Sequence, residues 1–221
     1  MSPAAALFRR ELSLAWGRGG GPLLTLGFYA AAVTLLPLAQ GPDPQRLAGL
    51  ATGVAWVLLA LATLLSLERL FERDFEDGAL DLLALGTVPL EVTSFLKCLA
   101  QWLVAGAPLG LASPVAAIAL GAEPRVALLA AVTALVGGLA FAFVGGAGAA
   151  LSLATRRGGL LIALLVLPLL APPVIFGGAA LSAFAAGLPW TTGFILLSGY
   201  TLAVVALAPV AMAAACRNAL S

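Results

Sequence analysis

The sequence has 221 residues, of which 62% are hydrophobic and only 10% are charged, and its net charge is +1. Soluble domains carry about 45–50% apolar and about 25% charged residues, so this composition excludes an ordinary water-soluble fold and favours a membrane protein. The near-neutral charge gives no electrostatic reason to expect a nucleic-acid partner. A membrane β-barrel is also excluded, because it would show alternating segments of about ten residues rather than long apolar runs.

Long stretches without a charged residue predict the membrane spans. Five such stretches occur, and each has at least the roughly 20 residues that a helix needs to cross a bilayer. The last stretch is long enough for two helices, so the sequence predicts an all-α integral membrane protein with six spans in a single domain, residues 1–221. We place the spans at about residues 22–40, 47–67, 98–120, 126–155, 160–178 and 194–215.

A short helix is predicted before the first span, over residues 4–16, and a Gly- and Pro-rich break at residues 17–22 separates the two. One of its faces is apolar and aromatic (Phe8, Leu12, Ala15, Trp16) and the other is polar and basic (Arg9, Arg10, Ser13). This pattern is typical of a helix that lies in the headgroup layer, although a cytoplasmic extension of the first span is the alternative. The first apolar run is long enough to span, so we do not expect a cleaved signal peptide.

Small residues crowd the fourth span at spacings of four, which lets helix backbones approach closely: Gly138, Ala142 and Gly146, and Gly145 with Ala149. Packing within the chain and contact with a second subunit are both consistent with this pattern.

Three prolines interrupt the fifth span within six residues, at Pro168, Pro172 and Pro173. Each removes a backbone donor and crowds the preceding turn, so we expect the span to kink or end there. Residues 179–186 are then predicted to form a separate re-entrant or interfacial helix.

The distribution of Lys and Arg predicts the orientation. Nine of the 11 fall on one side of a six-span topology, and only Arg46 and Arg125 fall on the other. Cytoplasmic loops carry the excess of positive charge, so both termini and the loop between spans two and three are predicted to be cytoplasmic. The nine are Arg9, Arg10, Arg18, Arg69, Arg73, Lys97, Arg156, Arg157 and Arg217.

Several function classes are disfavoured by what the sequence lacks. There is no histidine, which removes the commonest general base and the commonest haem ligand. The only lysine, Lys97, does not stand in a Walker A pattern, so this chain is not expected to hydrolyse ATP. The predicted spans contain no Asp, Glu, Lys or Arg, which proton pathways use. We therefore expect no enzyme, no catalytic residue and no metal or cofactor site in this chain.

The segment 68–97 is the longest polar stretch, and its first part is acidic. Residues 68–81 contain six acids and two bases, so their net charge is −4. Residues 79–85 are predicted to form a short helix with Asp77 as its N-cap, and Gly86 and Pro89 are predicted to end it. This helix carries four leucines, at positions 80, 82, 83 and 85.

An acidic segment that carries leucines at the membrane edge predicts docking in a groove on a cytoplasmic protein. A solvated loop whose leucines lie on the bilayer is the alternative, but the anionic inner leaflet disfavours an acidic segment there.

This segment also resembles a known family. Residues 67–80 (Leu-Glu-Arg-Leu-Phe-Glu-Arg-Asp-Phe-Glu-Asp-Gly-Ala-Leu) look like the loop between spans two and three in the CcmB family, the haem exporter permeases of cytochrome c maturation. Residues 34–45, Arg157-Gly158-Gly159 and Leu167-Pro168-Leu169 resemble it as well, and the similarity runs from about Phe8 to Arg217. The Glu-Asp-Gly-x-Leu arrangement is similar to ABC-2-type exporters generally, whereas residues 86–89 are more polar than the family pattern.

The resemblance implies an ABC-2-type permease of the bacterial inner membrane whose coupling helix, in segment 68–97, is seated on an ATP-hydrolysing subunit, CcmA. It also implies the membrane partners CcmC and CcmD and the periplasmic haem chaperone CcmE, which the complex frees at the expense of ATP. ATP and Mg would be bound by the partner subunit, haem would be handled by the complex, and we expect two copies of this chain per complex in the lipid bilayer. The residues to which the resemblance assigns the ATPase-coupling interface are Glu68, Arg69, Glu72, Asp74, Glu76, Asp77, Gly78, Leu80 and Leu83.

The leading hypothesis is therefore a non-catalytic permease subunit that couples ATP hydrolysis by a partner to haem export or haem-chaperone release in c-type cytochrome biogenesis. An ABC-2-type exporter permease for a lipid-like or other amphiphilic substrate is the alternative. A passive scaffold is a third class, and an intramembrane enzyme is the weakest because the sequence offers no nucleophile–base pair.

Overall fold

Helices make up nearly all of the described chain. The structure, a computed structural model, describes residues 2–17, 21–41, 44–67, 70–153 and 159–220, and it contains no strand within these ranges. Six helical segments are long and apolar enough to cross a membrane. The all-α, six-span fold predicted from the charge-free stretches is thus confirmed.

The helices follow the predicted order. Helix α1 (Pro3–Gly17) precedes the first two spans, α2 (Gly21–Gln40) and α3 (Pro44–Leu67). Two short helices come next, α4 (Glu72–Glu76) and α5 (Ala79–Ala84). Span three consists of α6 (Leu90–Gln101), a π-helical turn (Trp102–Gly106) and α7 (Ala107–Ala119). After a 3-10 turn (Pro124–Val126), spans four, five and six are α8 (Ala127–Leu153), α9 (Gly159–Ala185) and α10 (Thr191–Leu220).

The two ends of the bundle differ in charge. Arg10, Lys97 and Arg217 lie at one end, together with α4 and α5, and we call it the charged end. Arg125 lies at the opposite end, where its guanidinium donates a hydrogen bond to the carbonyl of Ala185 at 2.5 Å. These four basic residues therefore group as the topology predicted, while Arg18, Arg69, Arg156 and Arg157 lie outside the described residues.

Span five is predicted to kink or end at its prolines, and the second alternative is wrong, because α9 continues as one helix through Pro168, Pro172 and Pro173 to Ala185. Residues 179–186 are thus not a separate helix. The kink stays a prediction. The backbone of Pro173 has no N–H to donate to the carbonyl of Leu169, but the Tyr200 hydroxyl of α10 donates to that carbonyl instead. A neighbouring span therefore supplies a partner that the proline removes, as membrane helices commonly require.

Span three contains the one irregular turn among the described spans. Its π-helical part ends directly before Ala107 and Pro108, and it turns the Trp102 indole toward span four. The indole Nε1 donates a hydrogen bond to the carbonyl of Leu135 at 3.2 Å. The neighbouring Gln101 amide donates to the carbonyl of Ser66 in span two at 3.1 Å. These two bonds connect span three to spans two and four.

The glycines of span four pack against other helices of this chain. The closest approach is around Trp56 of α3, which is 2% exposed. A Cβ built on Gly137 of α8 would lie 2.4 Å from this indole, and one built on Gly177 of α9 would lie 2.0 Å from it. The Phe141 ring packs edge-on to the same indole, with ring centroids 6.0 Å apart. Among the small residues of the predicted pattern, a Cβ built on Gly145 would lie 2.5 Å from Leu67, and one built on Gly146 would lie 2.5 Å from Cys98. The structure therefore favours packing within the chain for these residues.

Candidate functional site

The segment after span two forms two short helices joined by a sharp turn. Helix α4 closes at Asp77, whose N–H donates to the carbonyl of Arg73 at 2.9 Å. Gly78 follows with φ +70°, a left-handed conformation that glycine adopts without a steric penalty. Gly78, and not Asp77, holds the N-cap position of α5, and no side chain caps that helix. The predicted N-cap is therefore wrong, because the chain turns one residue later.

The predicted coupling residues divide into an exposed and an enclosed group. Glu72, Glu76 and Asp77 are exposed, and Gly78 and Leu83 are half-buried. Asp74 and Leu80 are enclosed by this chain, since they are 6% and 0% exposed. Glu68 and Arg69 lie outside the described residues.

The enclosed side of α4 and α5 is part of a hydrophobic cluster at the charged end. Phe71 and Leu80 are both buried in it. Spans three, four and six contribute Cys98, Phe143 and Met212 to the same cluster. Because helices of five and six residues are too short to be stable alone, this burial holds the segment in a fixed position against the bundle.

The outer side of α5 exposes two large apolar residues. Leu82 is 74% exposed and Leu85 is 86% exposed, beside the exposed carboxylate of Asp81. A groove of about 350 Å³ runs between α1 and the connection from α5 to α6, and Leu7, Arg10, Leu82, Leu83, Val88 and Thr93 contribute to its lining. The Thr93 hydroxyl is buried and has no hydrogen-bond partner. This surface places exposed leucines and an open groove beside acid groups, which is compatible with the apolar core and polar rim of a protein–protein interface.

Four charged side chains meet behind α4, and we call them the charge tetrad: Arg10, Glu11, Asp74 and Lys97. The Lys97 ammonium donates to Glu11 Oε2 at 3.0 Å and to Asp74 Oδ2. The Arg10 guanidinium donates to Glu11 Oε1 at 2.5 Å and to Asp74 Oδ1 at 2.8 Å. Two bases and two acids thus form a closed ring with no net charge, in which every carboxylate oxygen accepts a hydrogen bond.

Three of the four members, Glu11, Asp74 and Lys97, are buried, whereas the Arg10 side chain is 37% exposed, so the charges of the buried three must be balanced within the ring. Lys97 is 2% exposed and Glu11 is 5% exposed, and the ammonium lies 5.6 Å from the centroid of the Phe71 ring. Burial raises the pKa of the Asp74 carboxyl, but the charges of Lys97 and Arg10 and the hydrogen bonds they donate outweigh it, so that the pKa is lowered. Removing one member of such a network costs about 3–5 kcal/mol, whereas replacing an oppositely charged pair by apolar residues is often neutral.

The tetrad joins three elements that the sequence analysis treated separately. Arg10 and Glu11 belong to α1, Asp74 to α4, and Lys97 to α6. On a helical wheel Arg10 lies on the polar face, Glu11 has no predicted role, and Lys97 marks the predicted boundary of span three. One signal was available, since Glu11 is the only acid before residue 43 and Lys97 is the only lysine of the chain.

Comparison with known proteins agrees with this architecture. A family model described as "CcmB protein" matches residues 2–219. The Heme exporter protein B of Paracoccus denitrificans is 45% identical over 212 residues, which cover 96% of this chain and 97% of the relative. The protein of the same name from Bradyrhizobium diazoefficiens is 42% identical over the full length of both chains, and that of Escherichia coli K12 is 41% identical over 96% of each. Because these matches run along nearly the whole chain, the chain belongs to the CcmB protein family.

Proposed function

We propose that this chain is the non-catalytic membrane subunit of an ATP-driven complex that exports haem, or releases a haem-loaded chaperone, for the maturation of c-type cytochromes. Its similarity to proteins named Heme exporter protein B covers nearly the entire length of each chain. Agreement over the full length supports a shared role of the whole domain rather than of one segment.

The coupling of this subunit to ATP hydrolysis is assigned to the outer side of α4 and α5. The observation that carries this assignment is the pairing of exposed acids with exposed leucines on a segment whose other side is buried in the bundle. Glu72, Glu76 and Asp77 would contact basic groups on the ATPase subunit, and Leu82 and Leu85 would enter an apolar groove there. Asp74 and Leu80 would hold the segment from behind.

The remaining parts of the complex follow the family. The ATPase would be CcmA, which binds ATP and Mg, and the other partners would be the membrane proteins CcmC and CcmD and the chaperone CcmE. Two copies of this chain would assemble in the bacterial inner membrane, with both termini and the charged end in the cytoplasm. A cysteine introduced at Leu85 tests this orientation, because it should react with a membrane-impermeant maleimide only after the inner membrane is opened.

The absence of histidine favours chaperone release over passage of haem through this chain. Histidine is the commonest protein ligand of haem iron, and a haem pathway without it would rely on weaker or less common ligands. Haem absorbance should therefore follow the partner proteins when the complex is dissociated. If the isolated chain retains stoichiometric haem, direct transport becomes the better explanation. If the whole complex contains no haem, the alternative function, export of an amphiphilic molecule, gains support.

Reversal of two exposed charges tests the coupling surface. The double variant Glu72→Arg/Glu76→Arg should lower the amount of co-purified ATPase subunit on the order of tenfold, because two attractive contacts become repulsive. The matched control is Glu123→Arg, an exposed acid at the opposite end of the bundle. A Glu72→Arg/Glu76→Arg complex that stays intact and hydrolyses ATP at the wild-type rate would show that this surface does not receive the ATPase.

A further inference from the structure

We propose that the charge tetrad is the joint through which the coupling segment moves α1 and the beginning of span three as one body. The inference rests on the proposed function, because it assigns the internal connection that an ATP-driven movement of α4 would use. Arg10, Glu11, Asp74 and Lys97 are then positioning residues, since they lie behind the surface that would contact the partner.

The connectivity of the ring supports this role. Asp74 uses one carboxylate oxygen for Arg10 of α1 and the other for Lys97 of α6. Glu11 divides its oxygens between the same two bases. A displacement of α4 is therefore transmitted to α1 and to α6 at once, and neither helix can shift alone without breaking a bond of the ring.

The ionic contacts of the tetrad fit a role in transmitting movement between helices better than a role in merely holding the helices together. Apolar residues of similar volume would stabilise a buried position about as well, because burying charges is costly. Hydrogen bonds between charged groups are directional and short, so they fix the distance and the orientation between helices. The apolar contacts of Phe71 and Leu80 already hold α4 and α5 against the bundle. The tetrad therefore adds a fixed relative position of α1, α4 and α6.

The position of Lys97 extends the connection into the membrane. It lies five residues before the π-helical turn that begins at Trp102. Such turns are frequently found at functional sites inside helices. A pull on Asp74 thus acts on the end of α6 that adjoins the irregular part of span three.

A charge-balanced double variant separates transmission from stability. In Asp74→Leu/Lys97→Met, one acid and one base are removed, and Arg10 and Glu11 remain as a neutral pair. We expect wild-type abundance and wild-type co-purification of the ATPase, but at least a fivefold loss of haem-chaperone release per ATP hydrolysed. The single variant Lys97→Met leaves two buried acids with one base, and its abundance should fall severalfold. The control Glu91→Gln/Arg217→Gln removes the exposed ion pair between α6 and α10 at the same end and should keep wild-type coupling.

A distance measurement tests the joint without the partner. Spin labels at Ser13 of α1 and Glu76 of α4, both exposed, should give a narrow distance distribution in the otherwise native chain and a broad one in Asp74→Leu/Lys97→Met. A second pair, Arg10→Met/Glu11→Gln, opens the ring from the α1 side and should broaden the distribution as well.

The outcomes distinguish this inference from the proposed function. Wild-type release per ATP together with an unchanged distance distribution in both double variants would overturn the joint. Loss of ATPase binding in the double variants would also overturn it, because the tetrad would then serve docking, while the proposed function would stand. A native complex without ATP hydrolysis would refute the proposed function, and in that case the distance distributions alone would decide whether the tetrad joins α1 to α4.

Discussion

Gly177 is the described glycine at which an added Cβ would lie closest to another side chain, and it gives a specific stability prediction. A methyl group at this position would lie 2.0 Å from Cζ2 of Trp56, where ordinary contact begins at 3.4 Å. The indole would have to retreat by about 1.4 Å, but it is only 2% exposed, and a Cβ position on Gly137 lies only 2.4 Å from the same ring. Because the buried indole is closely packed against both glycines, a small rotation does not make room for the methyl group.

The expected cost of Gly177→Ala follows from two opposing effects. Overpacking a tight core costs about 1–3 kcal/mol. Replacing glycine by alanine inside a helix stabilises the helix by up to about 1 kcal/mol. The free energy of unfolding should therefore fall by about 1–2 kcal/mol. The adjacent Gly178→Ala is the matched control, since the nearest atom to its Cβ position is 4.0 Å away, and it should be neutral or slightly stabilising.

Thermal unfolding of the purified chain in detergent, measured for both variants side by side, provides the assay. Trp56→Phe should itself destabilise the chain by leaving a cavity, but it should remove most of the additional cost of Gly177→Ala, because the ring atoms that clash are absent. The coupling free energy between the two substitutions should be at least about 1 kcal/mol. Equal melting temperatures for Gly177→Ala and Gly178→Ala would refute the reasoning, because the close approach of Trp56 would then carry no energetic consequence.

Two further predictions concern the contacts of α10. Tyr200→Phe should lower the free energy of unfolding by about 0.5–1.5 kcal/mol, because the Leu169 carbonyl loses its donor, and Pro173→Ala should reduce this loss by restoring a backbone N–H. Thermal unfolding of the two single variants and the double variant measures the effect, and a loss of equal size in the Pro173→Ala background would contradict it. Arg217→Gln should leave the melting temperature within experimental error, because its contact with Glu91 is an exposed ion pair that water and salt screen, and a clear decrease would contradict this.

The spans could be predicted because the bilayer imposes a local requirement on the sequence. Each span needs about 20 apolar residues in succession, and charged residues mark the interruptions. The boundary of span three shows where this rule fails. It was placed at residue 98 because Lys97 is charged, but α6 begins at Leu90. Lys97 can lie inside the helix and be buried because Glu11 and Asp74 neutralise it there.

The predicted end of the fifth span is wrong for a related reason. The proline rule considers only the donors within one helix, and by that rule a helix with three prolines in six residues should kink or end. The donor that the Leu169 carbonyl finds belongs to Tyr200, which is 31 residues away in the sequence. No local pattern contains this information, because it depends on which spans are neighbours.

The tetrad was beyond prediction because its members are far apart in the sequence. Lys97 and Glu11 are separated by 86 positions, and Arg10 and Asp74 by 64. A helical wheel assigns faces to solvent or to membrane but does not say which polar face meets another polar face. In α1 the buried residue is Glu11, so the side that turns inward is partly charged.

Burial of Asp74 reduces the negative charge that the acidic segment exposes to a partner. Within residues 70–85 the net charge from the sequence is −4, but Asp74 is neutralised by Lys97 and Arg10, so the surface that faces outward carries only −3. The four leucines divide in the same way, because Leu80 points into the bundle while Leu82 and Leu85 point away from it. A count of residues along the segment therefore overstates both its charge and its apolar surface. A partner would contact only the exposed residues of the segment, whereas the enclosed residues determine where on the bundle those exposed residues lie.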